Sequence, residues 1–239
     1  KDGSLIYCEL DEEVKIVAQL ARADVKKLPY GIPANKIENG ITKLITEKRD
    51  IALKVFGDHN LMNIKAAKLA CNEVGITDEQ FYESIQTFGG AAKRLELVSA
   101  NEQTAVYKDF AHSPSKLKAT IQAVKKQFPD RKLIACMELH TFSSLNQEFL
   151  DQYKGSMELA DEAIVYFNPH TIAHKKLQPI TTEQVKKAFD RESIVVVNDS
   201  KEVIATLLKK DFNHKNLLLM SSGNFDGMDF KELSAKIVK

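Results

Sequence analysis

The feature that most restricts the fold of this chain is a regular alternation of short apolar segments and amphipathic helical segments, which begins at Thr104. Nearly continuous apolar segments are typical of strands buried on both faces of a parallel sheet, and the amphipathic segments supply the covering helices. The pattern predicts strands at 105–110, 133–137, 163–167, 194–197 and 217–220. It predicts helices at about 114–127, 145–159, 182–189, 200–210 and 228–238. The fold class is therefore α/β, with a Rossmann-like, mostly parallel sheet that carries helices on both faces.

The residues before Gly90 follow a less regular pattern of short strands and helices. Strands are predicted at 5–8, 41–46 and 51–56, with helices at 12–21, from 57 onward and after Thr77. Thr77 and Gln80 stand at the spacing of a capping box, which marks a helix start. The pair Gly89-Gly90 then interrupts the pattern. We therefore predict a boundary between a domain at 1–90 and a second domain at 91–239.

Polar residues follow each predicted strand of the second domain, in the clusters 109–113, 138–144, 168–170, 198–200 and 221–226. The carboxyl ends of parallel strands meet at one edge of a sheet, where α/β proteins bind their ligands. Asp109 and His112 lie where a strand passes to a helix that begins at Pro114, so they are candidate site residues. The alternative for Asp109 is a purely structural role as the N-cap of that helix.

Several sequence motifs of known chemistry are absent. The chain has no Gly-x-x-x-x-Gly-Lys-Ser/Thr phosphate loop and no Gly-x-Gly-x-x-Gly fingerprint, which argues against phosphoryl transfer by this chain alone and against a dinucleotide oxidoreductase. No serine has the Gly-x-Ser-x-Gly context of a hydrolase nucleophile. His170 and His174 could bind a metal from one helix face, but no cysteine or carboxylate stands nearby at ligand spacing. We therefore predict no metal ligands in this chain.

The net charge narrows the range of binding partners, and the cysteine content indicates the cellular compartment. Lys and Arg total 34 against 33 Asp and Glu, so no net field would attract nucleic acid or an anionic membrane. No apolar run approaches the length that spans a bilayer. The three cysteines are widely spaced in apolar contexts, which is typical of reduced thiols in a cytoplasmic protein.

Three segments, read in order, resemble the motifs of the Mur ligase family. They are Gly57-Asp58-His59-Asn60-Leu61-Met62-Asn63, Phe88-Gly89-Gly90-Ala91-Ala92-Lys93-Arg94-Leu95-Glu96, and Tyr107-Lys108-Asp109-Phe110-Ala111-His112-Ser113-Pro114. The resemblance implies that 1–90 is the latter part of an ATPase-type α/β central domain and 91–239 the C-terminal, peptide-binding domain. It also implies that a UDP-sugar-binding domain, the phosphate loop, the activating lysine and most Mg²⁺ ligands lie upstream of Lys1, so that this chain alone is inactive.

The resemblance implies a bacterial, cytoplasmic ligase that forms an amide bond through an acyl phosphate, with ATP and Mg²⁺, in peptidoglycan synthesis and recycling and hence in cell shape and division. The domains would close over a shared nucleotide. Asn60 would lie near the adenine, Arg94 near the ATP phosphates and Asp109 near the ribose. Asn63 would also belong to the nucleotide site. His112 would be catalytic, near the transferred phosphate. The residues that would contact the incoming substrate are Ser113, His140, Ser221, Ser222, Asn224 and Phe225.

The acceptor substrate is open between two members of the family. The Asp-Phe-Ala-His form of the third motif and the segment from Met220 to Gly227 favour the branch that joins UDP-N-acetylmuramate to the tripeptide L-Ala-γ-D-Glu-meso-diaminopimelate. The alternative is the branch that adds free L-alanine. A third hypothesis, from another class, is a nucleotide-binding module without catalysis. Ser113 and Lys93 depart from the family, which often has a second histidine and a second arginine at these positions.

Overall fold

Two units make up the chain in the computed structural model, which describes residues 3–238: Lys1–Gly90 and Ala91–Lys239. The first unit contains β1 (Ser4–Cys8), α1 (Glu12–Leu20), β2 (Lys26–Tyr30), β3 (Asn35–Glu38), β4 (Ile41–Ile45), β5 (Asp50–Ala52), α2 (Asp58–Glu73) and α3 (Asp78–Ile85). β1 and β2 are parallel, while β3, β4 and β5 form an antiparallel sheet. The apolar core of this unit joins β4 and β5 to α2 and α3 through residues such as Leu44, Leu61 and Phe81.

The capping box predicted at Thr77 is present at the start of α3. The Gln80 backbone N–H donates to the Thr77 hydroxyl, and the Thr77 N–H donates to the Gln80 side chain at 2.9 Å. The predicted strand at 51–56 is shorter than expected, because pairing with β4 ends at Ala52. The following apolar residues, Leu53 and Val55, are buried all the same, which explains why their pattern resembled a strand.

The second unit contains β6 (Glu96–Ala100), β7 (Ala105–Asp109), α4 (Pro114–Gln127), β8 (Lys132–Leu139), α5 (Gln147–Leu150), a 3₁₀ turn (Asp151–Tyr153), β9 (Glu162–Phe167), α6 (Pro169–His174), α7 (Thr182–Phe189), β10 (Val195–Val197), α8 (Ser200–Leu208), β11 (Lys215–Met220) and α9 (Phe230–Ile237). The strand order is β10-β9-β8-β11-β7-β6. The first five are mutually parallel, and β6 is antiparallel at the edge. The predicted α/β class with a mostly parallel sheet is confirmed.

The predicted helix at 145–159 is wrong. The structure has only the four residues of α5 and one 3₁₀ turn there, followed by turns that include Gly155 at φ +68°. Leu150, Tyr153 and Met157 are nevertheless fully buried, so the apolar spacing that predicted a helix reports burial rather than helical geometry. Short apolar spacings cannot separate these two cases.

Residues of the strands alternate between the two faces of the sheet, and this alternation decides where the polar side chains at the carboxyl edge lie. On one face, Cys136, Tyr166 and Leu219 pack with residues of α8 and α9 in a large apolar core. Asp109 pairs in register with Met220, one position before Ser221, and its side chain lies against Thr120 of α4. The two faces of the sheet therefore carry different polar groups at the same edge.

Candidate functional site

The carboxyl edge of the sheet in the second unit is the candidate site. The chain runs from β7 outward through β8, β9 and β10, and then returns so that β11 lies between β7 and β8. Such a reversal of strand order leaves a crevice at the carboxyl ends of the strands, where open α/β sheets bind ligands. Several of the predicted site residues lie at this edge, directly after β7, β8 and β11. They form two clusters, one on the α4 side and one on the α8 and α9 side.

The first cluster is organised by the Asp109 carboxylate at the end of β7, which is 7% exposed. The Leu95 backbone N–H donates to Oδ2 and the Ala111 N–H donates to Oδ1, each at 2.7 Å. The Thr120 hydroxyl lies 3.5 Å from Oδ1. Asp109 is not the N-cap of α4, because that position belongs to Ser113, whose side chain makes no capping bond. A carboxylate has about four acceptor positions, so Asp109 retains capacity for a ligand.

Arg94 is held beside Asp109 by an unusual backbone. Lys93 and Leu95 on either side of it have φ values of 57° and 43°, in the left-handed region. Such a conformation costs on the order of 1–3 kcal/mol for a non-glycine residue. The bonds that offset this cost run from Leu95 N–H to Asp109 and from Phe110 N–H to the Lys93 carbonyl, at 2.7 and 2.9 Å. The exposed Arg94 side chain is therefore carried on a segment fixed to the end of β7.

Arg94 and His112 both rest on the ring of Phe110. The Arg94 guanidinium lies over this ring at 5.3 Å, and the His112 ring meets it edge-on at 5.1 Å. His112 Nδ1 is 2.8 Å from the Phe110 carbonyl, which can only accept, so Nδ1 carries a proton and Nε2 is the acceptor of the neutral ring. The Tyr153 hydroxyl donates to the His112 carbonyl and fixes the loop from the other side. The structure thus brings the predicted residues Arg94, Asp109 and His112 together.

The second cluster is organised by Glu138, a residue that lies in a predicted polar cluster but was not selected from the sequence. Its carboxylate is almost fully buried and accepts from the Ser221 hydroxyl and, at 2.8 Å, from the Phe225 backbone N–H. His140 Nδ1 lies 3.5 Å from the other oxygen of Glu138. The predicted residues Ser221 and His140 are therefore joined by a carboxylate. One feature of the sequence could have identified Glu138: it is a charged residue near the end of β8, a strand that is otherwise mostly apolar.

Two hydroxyls near this cluster are buried and have no hydrogen-bond partner within residues 3–238: Tyr166 Oη and Ser222 Oγ. Tyr166 pairs in register with Glu138 and stacks on Phe225, with ring centroids 6.0 Å apart. Burial, together with the carboxylates of Asp226 and Glu138, raises the pKa of Tyr166 to about 12, so the phenol is neutral. Ser200 and Asn168 lie close enough to Tyr166 Oη to lower its pKa slightly, although neither makes a hydrogen bond of good geometry with it.

Two other predicted substrate-contact residues, Phe225 and Asn224, already have partners within the protein. Phe225 is fully buried in the core and offers its ring to Tyr166 and Phe230. Asn224 is exposed, and its side chain accepts from the Gly227 N–H at 3.1 Å in the turn after β11. Their substrate contacts, and that of Ser113, stay predictions.

Asn60 and Asn63 lie in the first turns of α2 in the first unit. Asn60 Nδ2 donates to the Phe56 carbonyl at 2.9 Å, so this side chain secures the entry to the helix. Asn63 is exposed. Gly57, at φ 91°, is the N-cap and permits the sharp turn into α2. The predicted contact of Asn60 with adenine, and the predicted place of Asn63 in the nucleotide site, stay predictions.

Neither a metal site nor a membrane segment is found in the described part of the chain. Residues 3–238 contain no group of three or more His, Cys, Asp or Glu that could hold a metal, and His170 and His174 of α6 belong to no such group. None of the helices within the same residues combines the length and apolar character needed to cross a bilayer.

The second unit is a mixed α/β domain with a mostly parallel sheet, and its candidate site lies at the carboxyl edge of that sheet. The family model described as "Mur ligase, glutamate ligase domain" matches residues 93–223, more than half of the chain. The chain belongs to this family.

A curated relative, the UDP-N-acetylmuramate–L-alanine ligase of Cytophaga hutchinsonii, is 26% identical over 235 residues, which are 95% of this chain and 49% of that protein. The chain spans about half or less of the length of the curated relatives it matches. The MurF ligase of Thermotoga maritima in complex with ADP has a TM-score of 0.68 at 15% identity, over 99% of this chain and 53% of that one. A murein peptide ligase of Psychrobacter arcticus has a TM-score of 0.60 at 18% identity, over 98% and 51%. These two similarities show the fold.

Proposed function

We propose that this chain is part of an ATP-dependent ligase that joins an amino acid or peptide to UDP-N-acetylmuramate through an acyl phosphate. Residues 1–90 would be the latter part of its central ATP-binding domain, and 91–239 its C-terminal domain. The arrangement of Arg94, Asp109 and His112 on one strand end carries the proposal. A guanidinium suits phosphate recognition, and a carboxylate with spare acceptor capacity suits ribose hydroxyls. The His112 ring lies beside the guanidinium, on the same Phe110 ring.

The proposed role of each residue follows from the chemistry of carboxylate activation. An acyl phosphate hydrolyses if water reaches it, so the reacting groups must be enclosed when it forms. Arg94 would bind the anionic phosphates, and Asp109 would orient the nucleotide through its ribose. His112 would lie near the transferred phosphoryl group, with its ring held in place by the bond from Nδ1–H to the Phe110 carbonyl. The fixed backbone at 93–95 and 109–112 means that these groups need little reorganisation at the moment of reaction.

We propose L-alanine as the first acceptor to test, because three curated relatives of this chain carry the name UDP-N-acetylmuramate–L-alanine ligase. The tripeptide L-Ala-γ-D-Glu-meso-diaminopimelate is the second candidate. It is favoured by the segment from Met220 to Gly227 and by the Asp-Phe-Ala-His form of the motif at 109–112. Three free cysteines in the chain agree with a reducing, cytoplasmic location for either enzyme.

The experiment compares acceptors with the full-length polypeptide. ATP, Mg²⁺ and UDP-N-acetylmuramate are supplied with L-alanine or with the tripeptide, and ADP release and product mass are measured. We expect ligation of one acceptor with kcat/KM at least about tenfold above the other, because a site with buried polar groups discriminates strongly between ligands that do and do not pair with them. ATP binding without turnover of any acceptor would favour the non-catalytic module instead.

The variant Arg94→Ala tests the phosphate contact within the same assay. Loss of a hydrogen bond to a charged group costs about 1.5–3 kcal/mol, so kcat/KM for ATP should fall at least about tenfold. Lys118→Ala, an exposed position on α4, is the matched control. An unchanged ATP dependence in Arg94→Ala would remove this residue from the nucleotide site.

A further inference from the structure

Glu138 is a buried carboxylate whose surroundings come from two separate loops. Its side chain is 3% exposed, and its Oε2 accepts from the Ser221 hydroxyl and the Phe225 N–H of the segment after β11. Oε1 faces His140 Nδ1, at 3.5 Å, in the segment after β8. A buried charge is retained only when donors surround it. Glu138 thus joins two strand-end segments, and one of them carries a titratable ring.

Gly223 shows how closely these groups approach each other. A Cβ at this position would lie 2.7 Å from Glu138 Oε2 and 2.8 Å from Nδ1 and Cγ of His140. The φ of Gly223 does not lie in the left-handed region, so space, and not backbone freedom, is the reason for a glycine here. The Gly223 N–H also donates to Ser221 Oγ at 2.6 Å. The segment after β11 is therefore packed directly against the Glu138–His140 pair.

Glu138 and His140 differ in their exposure to solvent. The His140 side chain is 36% exposed, whereas Glu138 is closed off from solvent. A substrate can reach the imidazole but not the carboxylate. Glu138 can therefore act on a substrate only through the groups it holds, and among these His140 is the one with a partly exposed side chain.

From this geometry we propose that His140 is the base that deprotonates the incoming amine, and that Glu138 is the positioning residue that selects its tautomer. The proposal rests on the proposed ligase function. A carboxylate can only accept, so it favours the tautomer with the proton on Nδ1 and leaves the Nε2 lone pair for the substrate. The separation of 3.5 Å between Nδ1 and Oε1 is longer than a good hydrogen bond. Catalytic contacts are often long in the absence of substrate and shorten in the complex.

The proton and electron balance of the step is simple. The acceptor arrives as an ammonium ion, whose nitrogen has no lone pair for attack, and gives one proton to His140 Nε2. The lone pair of the resulting amine forms the C–N bond to the acyl phosphate, and the C–O bond to phosphate breaks. Phosphate leaves with that bonding pair and takes up the second amine proton. His140 then returns its proton to solvent.

The variant Glu138→Gln separates charge from packing. The carboxamide oxygen of this variant can still accept from Ser221 and Phe225, while its amide nitrogen would donate toward His140 Nδ1. That reversal favours the tautomer with the proton on Nε2 and removes the base. General base catalysis contributes about 10²–10⁴-fold, so kcat should fall by about 10²-fold or more. KM for ATP and for UDP-N-acetylmuramate should stay within about twofold. Glu148→Gln, on an exposed side of α5, is the matched control.

Nitrogen NMR of ¹⁵N-histidine-labelled full-length protein gives a readout that does not depend on activity. His140 should be the Nδ1–H tautomer in the unsubstituted protein and the Nε2–H tautomer in Glu138→Gln. The Nε2–H form in the unsubstituted protein would overturn the proposal even if the variant failed to fold. An unchanged kcat in a folded Glu138→Gln would also overturn it. Absence of ligation by the unsubstituted enzyme would refute the ligase function and the base role, while the tautomers would still decide whether Glu138 orients His140.

Discussion

Replacement of Asp109 by alanine should loosen the strand end that carries the candidate nucleotide site. The carboxylate accepts two backbone N–H bonds at 2.7 Å, from Leu95 and Ala111, and is itself buried. Each buried donor left without a partner costs about 1–3 kcal/mol, so the local loss is about 2–6 kcal/mol. The strained backbone on either side of Arg94 would then lose one of the bonds that hold it.

Hydrogen exchange measured by mass spectrometry on peptides that cover 93–96 and 110–113 is the direct assay. A loss of about 2 kcal/mol accelerates exchange by roughly thirtyfold, and larger losses by more. Asp109→Asn retains one acceptor oxygen and should show a smaller effect, whereas Asp130→Ala, an exposed position, should show none. Unchanged exchange at the Leu95 and Ala111 amides in Asp109→Ala would refute the reasoning, because it would mean that the carboxylate does not hold them.

Three further predictions concern single interactions. Tyr153→Phe removes the hydroxyl that donates to the His112 carbonyl, so ligation should slow by a few-fold, while the free energy of unfolding measured by circular dichroism should change by no more than about 1 kcal/mol. Thr77→Ala should destabilise the first unit by about 1 kcal/mol in chemical denaturation, through loss of the α3 cap. The Lys93 backbone N–H holds the pKa of the Glu96 carboxyl below its usual value, so this group stabilises the fold above the ordinary pKa of about 4.3. The stability difference between the native protein and Glu96→Gln should therefore be present at pH 7 and disappear as pH falls through the lowered pKa of Glu96.

The architecture of the second unit was largely predictable from the sequence. Its parallel strands are short apolar segments, and α4 begins at Pro114 with Leu117, Ile121 and Val124 buried along one side. These features depend on residues that are close together in the sequence, so sequence inspection can detect them. The capping box at Thr77 was found for the same reason.

Elements that depend on distant partners were missed. β6 is an edge strand with a bulge between Leu97 and Ser99, and the mixed polarity of its residues gave no strand signal. Glu138 was overlooked because its hydrogen-bond donors, Ser221 and Phe225, lie more than eighty positions away in the chain. A side chain whose role is to join two loops has no local pattern that sequence inspection could detect.

Central to the proposed function is that this family member forms an amide bond at the expense of ATP, with the nucleotide held by Arg94 and Asp109. The most direct test is ADP formation by the full-length polypeptide in the presence of UDP-N-acetylmuramate, with and without L-alanine or the tripeptide. We predict that ADP release requires both the UDP-sugar and one of the acceptors and matches the product in a ratio of about 1:1, as expected for one phosphate transferred per bond. ADP release that is independent of the acceptors, or its absence under all conditions, would contradict the proposed function.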